Sequence, residues 1–322
     1  MKLSHFLLGA AALFASAAAC AQGTYPNKSI RLVIPSTPGG GTDFIGRTLA
    51  QKLAESTGWT VVAENRPGAA GTLGLSEVAH AAPDGYELVI GQTASMSLAP
   101  WLMKLNFDPV KDLTPVASAV DSPQVLLVSG ESPYKTWADF VKAAKASAAK
   151  PLAFGTSGIG SVAQIIGVKL QETSGFTLQH VPYKGSAPAI ADLLGGHVDL
   201  AGTSLTSGFG MMKSNRARAL VVTSAQRAAA FPDVPTMKEL GYAEASKSEW
   251  LGVLGPKGLP AAIADRLHTE INKVLAKPEV RTAIQAQGQD PRILTRAEFA
   301  TMVRTDNETS RDIIKKAGIK LE

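Results

Sequence analysis

Hydrophobic and polar positions along this 322-residue chain follow one order several times: a short apolar run, a glycine-containing turn, then a helical period. Ile30 to Ile34 is the first apolar run, short enough for a strand covered on both faces. Pro35 and Pro38 end it, and Gly39, Gly40 and Gly41 follow. Thr42 and Asp43 are helix-capping residue types, placed ahead of Ile45, Leu49 and Leu53 at a spacing of four. Thr60 to Glu64 is a second strand, leading through the turn NRPGAAGT to a helix on Leu75 and Val78. Pro83 to Tyr86 is a turn, and Glu87 to Ile90 is a third strand that ends in GQTAS. Strands alternating with helices predict a parallel sheet with right-handed crossovers. In such a sheet the strand-to-helix turns share one edge, so PGGGTD, PGAAGT and GQTAS are expected to cluster there.

The order breaks at Val116 to Gly130, where two apolar runs meet at Asp121-Ser122-Pro123 without a helix between them. This predicts the first crossing into a second domain. Thr136 and Asp139 form a capping-box pattern for a helix running to Ala149. Leu152 to Phe154 is then a strand, and Gly155 to Ser161 a second glycine turn before a helix with Val162, Ile165, Ile166 and Leu170 on one face. Further strands are expected at Leu178–Val181, Val198–Ala201, Ala219–Thr223 and Trp250–Leu254, and one of the last two carries the chain back. Ile263, Leu267, Ile271 and Val274 keep a helical period, Pro278 opens another helix, and Thr295 with Glu298 caps the last. This tail has no new glycine turn and is expected to pack on the first domain. The expected division is a signal segment 1–21, a first domain 22–121 plus 225–322, and a second domain 122–224.

A glycine turn opening a helix presents free N–H groups and a partial positive charge, which suits an anion. A tight connection would satisfy the first turn alone, but its recurrence at Gly155 favours two anion seats on two domains. The first seat is expected from Pro38, Gly39, Gly40, Thr42 and Asp43, with the turn around Gly40 needing positive φ. Gly71, Thr72, Gln92, Thr93 and Ser95 lie on the two neighbouring turns. On the second domain the candidates are the hydroxyls of Thr156, Ser157 and Ser161, with Lys184, Thr203 and Ser204 on adjoining turns. A small molecule bearing a carboxylate at each end would bridge the seats and favour a closed state.

Catalytic and nucleotide readings fail on spacing. PGGGTDFIGR lacks the Gly-Lys-Ser/Thr of a P-loop, and glycines at 155, 158 and 160 are not G-x-G-x-x-G. A nucleophile elbow at Ser157 or Ser204 would need glycine where Ile159 and Thr206 stand. Ser132 and Lys135 match S-x-x-K without its partner motifs and read as a turn. His80, His180, His197 and His268 form no pattern with one another or with acidic residues. No cofactor and no metal is therefore expected.

Composition adds three points. Lys2, the apolar Phe6 to Ala19 and Ala19-Cys20-Ala21 form an export signal cleaved after about Ala21. Acylation at Cys20 is the alternative, although Ala17 stands where leucine is usual. The apolar stretch is too short for a bilayer, which needs roughly 18 residues or more. Cys20 is the single cysteine, so cleavage leaves no thiol chemistry, and the expected location is the periplasm. The 32 basic against 27 acidic residues are scattered and lack interleaved aromatics, so nucleic acid is not an expected partner.

Several long stretches, in order, carry a family resemblance: PGGGTD, ENRPGAAGT, PDGYELVIG, HVPYKGSAPAIADLLGGHVDL, RALVVTSAQRAAAFPDVPT and the closing AGIK. The chain resembles the Bug receptors, substrate-binding proteins of tripartite tricarboxylate transporters. The resemblance implies a type II-like periplasmic-binding-protein fold with a ligand cleft between two α/β domains. It implies a carboxylate ligand held in a pincer, here Gly39, Gly40 and Thr42 against Thr156, Ser157 and Ser161. Membrane transporter subunits are the implied partners of a monomeric receptor that is not an enzyme. Thr203-Ser204 departs from the acidic or amide pair often found there, which removes a partner for an ammonium group and leans toward di-, tri- or aromatic carboxylates. A sensory receptor or an enzyme on the same fold remain the alternatives; the enzyme would need a general base that the cleft does not offer.

Overall fold

A computed structural model describes residues 25–228 and 230–320. The predicted signal segment, including Cys20, lies outside them. The first half-turn of the architecture is β1 (Ile30–Ile34), α1 (Gly41–Thr57), β2 (Val61–Asn65), α2 (Thr72–Ala79) and β3 (Glu87–Gln92). β1 lies between β2 and β3, parallel to both, so the three strand-to-helix turns share one edge. The short α3 (Ala99–Leu102) leads into β4 (Leu113–Ser122), and after Pro123 the chain enters a second sheet with β5 (Gln124–Ser129).

The second sheet continues with α4 (Trp137–Ala146), β6 (Leu152–Thr156), α5 (Val162–Ser174), β7 (Leu178–Pro182), α6 (Ser186–Leu194), β8 (Leu200–Ser204), α7 (Leu205–Lys213) and β9 (Ala217–Val222). The chain then returns as β10 (Glu249–Pro256), followed by α8 (Ala261–Ala276), α9 (Pro278–Gln285), β11 (Asp290–Pro291) and α10 (Arg296–Ala317). Strand order is β11-β4-β10-β3-β1-β2 in one sheet and β7-β6-β8-β5-β9 in the other. Both sheets are mixed, where alternation alone predicted a parallel one. β10 runs antiparallel to both β3 and β4, and β5 antiparallel to both β8 and β9. These reversals belong to the strands that carry the chain between sheets, which arrive without a crossover helix.

Side-chain alternation gives each sheet two covered faces. In β1, Ile30, Leu32 and Ile34 face Leu49 of α1 and Leu267 and Ile271 of α8, while Val33 faces Leu75 and Val78 of α2. In β5, Leu126 and Val128 face Phe154, Ile166 and Leu170, while Val125 and Leu127 face Leu193 and Leu205. Two layered α/β domains result. The expectation that the whole tail packs on the first domain needs correction at α10. Its Phe299 and Val303 join the first domain's core, but Ile313 and Ile314 join the second's. Burial of roughly 1.5–3 kcal/mol per large apolar side chain ties one helix to both domains.

Candidate ligand-binding cleft

The first glycine turn is held open from below. Pro38, Gly39 and Gly40 are exposed. Gly39 has φ of 88°, a region that disfavours side chains, whereas Gly40 has an ordinary φ of −87° and is the N-cap of α1. The positive-φ requirement thus sits one residue earlier than the sequence suggested. Thr42 and Asp43 are not caps either; both lie inside the first turn of the helix. A glycine cap has no side chain to offer, so α1 begins without a side-chain cap.

Asp43 instead anchors the loop. Its buried carboxylate accepts from Gly39 N at 2.9 Å, Arg47 Nε at 3.0 Å and Asn65 Nδ2 at 2.8 Å. Burial pushes this carboxyl upward, but the hydrogen bonds from Gly39, Asn65 and Arg47 outweigh it and hold the group below its ordinary range. Its oxygens are therefore engaged by the scaffold. Thr42 Oγ1 donates to Gln92 Oε1 at 3.0 Å, linking the first turn to the end of β3.

The second turn of this edge approaches the same point. At Gly71, φ is 89°, and a Cβ would stand 3.1 Å from Gln92 Nε2 and 3.2 Å from Pro35 O. Ala69 and Ala70 also have positive φ, 47° and 56°, between Gly68 and Gly71. α2 begins at Gly71 with no side-chain cap, and the buried Thr72 donates to Ala69 O at 2.8 Å. Thr93 and Ser95 are fully buried behind these turns. Thr93 Oγ1 accepts from Trp250 N at 2.9 Å, and Ser95 Oγ donates to Gln92 O at 3.3 Å. The structure therefore gathers Gly39, Gly40, Thr42, Gly71 and Gln92 at one edge, and places Asp43, Thr72, Thr93 and Ser95 beneath it.

On the second domain the corresponding turn is filled by its own side chains. Thr156 is fully buried, and its Oγ1 lies 2.7 Å from His180 Nε2. It also donates to Gly158 O at 3.2 Å. Gln164 Nε2 lies 3.3 Å from His180 Nδ1, which assigns the His180 proton to Nε2. Gln164 Oε1 accepts from Gly160 N at 2.7 Å, and Ser161 Oγ accepts from Gln164 N at 3.2 Å as the N-cap of α5. Burial holds the His180 imidazole below its ordinary pKa, which favours the neutral ring this network needs. The Thr156 hydroxyl, expected as a free donor, is thus already partnered, whereas Ser161 Oγ is engaged as the acceptor of the cap and its O–H can still donate.

The remaining candidates spread along the same edge. Ser157 O accepts from Gly185 N at 3.1 Å, which sets Lys184, itself exposed, beside the turn. Ser204 Oγ caps α7 by accepting from Ser207 N at 3.2 Å. Thr203 is buried, with Oγ1 lacking a partner. The domains meet here: a Cβ on Gly41 would lie 3.7 Å from Thr206 Cγ2 and 3.0 Å from Gln289 Nε2. Gly160 likewise packs against Leu102 of α3. His180, Gln164, Thr206 and Gln289 were not among the expected site residues. Gln164 was findable, since Ser161-x-x-Gln164 is a capping-box spacing. Gln289 carries no sequence signal.

Other hollows lie away from these turns. One of 520 Å³ is walled by Trp101, Phe107 and Arg304, and one of 430 Å³ by Asp121, Lys247, Arg292 and Asp306. Among the described residues no group of three or more His, Cys, Asp and Glu could hold a metal ion.

Comparison with known proteins places this geometry. The profile of the tripartite tricarboxylate transporter family receptor matches residues 45–319. Protein BugT of Bordetella pertussis is 34% identical over 305 residues, covering 93% of this chain and 92% of BugT. The structure of the periplasmic binding protein BugD is 33% identical with a TM-score of 0.79, covering 92% of this chain and all of BugD. An R. palustris protein solved with adipate is 29% identical with a TM-score of 0.82, covering 92% of this chain and all of that protein. With the match running along nearly its whole described length, the chain belongs to the tripartite tricarboxylate transporter receptor family, whose members are periplasmic solute-binding proteins and not enzymes.

Proposed function

We propose that this receptor captures a small di-, tri- or aromatic carboxylate between its two domains and delivers it to the membrane subunits of a tripartite transporter. The observation that carries the reading is the uncapped start of α1 at Gly40, exposed and beside the equally uncapped α2. The first-turn N–H groups of a helix have no intrahelical partner, and hydrogen bonds to a charged group contribute roughly 1.5–3 kcal/mol each. Thr42 and Gln92 border this seat, and the neighbour solved with adipate supports a carboxylate as its occupant. The second domain closes over the ligand with Ser157, Lys184 and the turn at Thr203-Ser204.

The same reading takes the mature protein as a monomer exported by cleavage after about Ala21. It takes residues 22–121 plus 225–322 and residues 122–224 as the two domains, with the end of α10 reaching across to the second core. Calorimetric titration with succinate, adipate, citrate and benzoate tests the ligand class. At least one should bind the wild type, and Gly40→Val should weaken it by more than about 100-fold. Binding by none of them, or equal binding by the variant, would remove the basis of the reading. Uptake reconstituted with the membrane subunits, lost without the receptor, tests delivery.

A further inference from the structure

Away from the cleft, the hollow of 520 Å³ between α3 and α10 carries features that carboxylate capture leaves unused. Its wall includes Trp101, which is 39% exposed. Among the described residues it is the only aromatic side chain in the exposed class. The ring is fixed in place. Its Nε1 donates to Asn307 O at 3.1 Å, and the Arg311 guanidinium lies 5.7 Å from its centroid. Asn307 is buried and donates to Met96 O at 2.9 Å, which clamps α10 onto the turn before α3. A tryptophan already ordered yet open to water suits a protein contact, because little side-chain freedom remains to be lost on binding.

Charge around the ring is mixed, with a positive balance. Lys104, Lys111, Arg304 and Arg311 line the hollow together with Asp108 and Glu308. Asp108 pairs with Lys111 at 2.9 Å, and Arg311 with Asp312 at 2.8 Å. Lys104 and Arg304 are exposed and enter no ion pair among the described residues. An acidic protein segment with one apolar side chain complements this pattern, its carboxylates meeting Lys104 and Arg304 and its apolar group meeting Trp101. An anionic lipid surface is a poorer match, since it attracts dense basic clusters and Asp108 and Glu308 interrupt this one.

Both walls of the hollow also reach the second domain. Ile313 and Ile314 of α10 join its core, Leu98 just before α3 does the same, and Leu102 packs against Gly160. A movement of one domain against the other therefore acts on both sides of Trp101. We propose that this hollow is the docking surface for an acidic periplasmic segment of a membrane subunit, with Trp101 as its anchor and Lys104 and Arg304 as its charge contacts, and that the segment holds loaded receptor more tightly than empty receptor. This inference rests on the delivery reading above and adds the surface to it.

The test uses proteoliposomes holding the membrane subunits, and whichever carboxylate of the titration above binds tightest. Wild type is compared with Trp101→Ala and with the double variant Lys104→Glu/Arg304→Glu. Carboxylate affinity should change by less than about threefold in both, and the melting temperature of the double variant should hold. The receptor concentration giving half-maximal uptake should rise by roughly tenfold or more in each. Loaded wild type should bind the proteoliposomes at least about threefold more tightly than empty wild type. Unchanged half-maximal concentration in the double variant would overturn the surface while delivery itself stands. Equal binding to anionic vesicles without the subunits would make lipid the partner and overturn it too, and equal binding of loaded and empty receptor would overturn the dependence on loading. Wild type that supports no uptake would remove the delivery reading, and this surface with it. The double variant alters exposed side chains only, so it decides the matter even if Trp101→Ala does not fold.

Discussion

The two glycine turns look alike in sequence and differ in what their donors do. At Gly39–Thr42 the helix starts on a glycine, and the nearest acidic side chain reaches back to one loop N–H only. At Gly155–Ser161 a serine caps the helix, a glutamine takes the Gly160 N–H, and a histidine holds the threonine. The first turn gives up one loop N–H to a side chain and leaves the helix start uncapped; the second engages the Gly158 and Gly160 N–H groups with its own side chains and caps its helix. An anion therefore gains more at the first, where nothing must be displaced. On the proposed reading, two similar glycine patterns divide the labour, one binding and one shaping the surface that closes on it.

The largest effect should come from breaking the support of the open turn. Asp43→Ala leaves Gly39 N, Arg47 and Asn65 without their common acceptor, and should lower stability by about 2–4 kcal/mol, read from denaturant melts. Gly40→Val comes next and acts on a different quantity. A side chain there meets no atom within 4 Å and φ is ordinary, so melting temperature should hold while carboxylate affinity falls. A large loss of stability would show that the turn is structural.

At the self-satisfied turn the balance reverses. Ser161→Ala should cost about 1 kcal/mol of stability, as removal of a cap does, and change carboxylate affinity by less than about threefold. Thr156→Val, which strips the partner of His180, should likewise register in stability before affinity. A tenfold loss of affinity with unchanged melting would restore the symmetrical pincer.

The smallest expected effect is a pH dependence confined to the second turn. His180 is held neutral by burial, so its folded pKa lies below its ordinary 6.5. In the window between the two values the unfolded chain binds more protons, so this contribution is complete above pH 6.5 and is lost as pH falls through the folded pKa. Imidazole resonances followed by NMR should titrate below 6.5, and amide protection factors, corrected for the intrinsic exchange rate, should fall at Gly158–Gly160 at acid pH while those at Gly39–Thr42 hold. Titration at or above 6.5 would remove the argument for a neutral His180.

What could be read from the sequence was whatever its neighbours in the chain decide. The capping boxes at Thr136/Asp139 and Thr295/Glu298 form as expected, because both partners lie three residues apart. The apolar run at Ile30 and the shared edge of the first three turns followed from period and alternation. Asp43 was misassigned because two capping residue types in a row do not reveal that the preceding glycine takes the cap position. The antiparallel seat of β10 depends on pairing with Gly91 and Ser118, far away in sequence, and no local signal encodes it. Gln289 is hidden for the same reason. It is an ordinary polar residue after a helix until the fold brings Gly41 and Thr206 to it.

The position of β10 also bears on the order in which the molecule can assemble. It lies between β3 and β4, so the first sheet is two separate fragments until residues 249–256 arrive. Every strand of the second sheet, by contrast, falls within one continuous stretch from Gln124 to Val222. For a chain that emerges from its N-terminus, the second sheet can pair while the first still lacks its central strand. Joining the first sheet then closes a loop of more than 100 residues, and closure entropy grows only slowly with such length, so the delay outweighs the cost. Until that strand docks, the free edges of β3 and β4 are open to other chains, which makes this interval the one in which the protein is most exposed to mispairing.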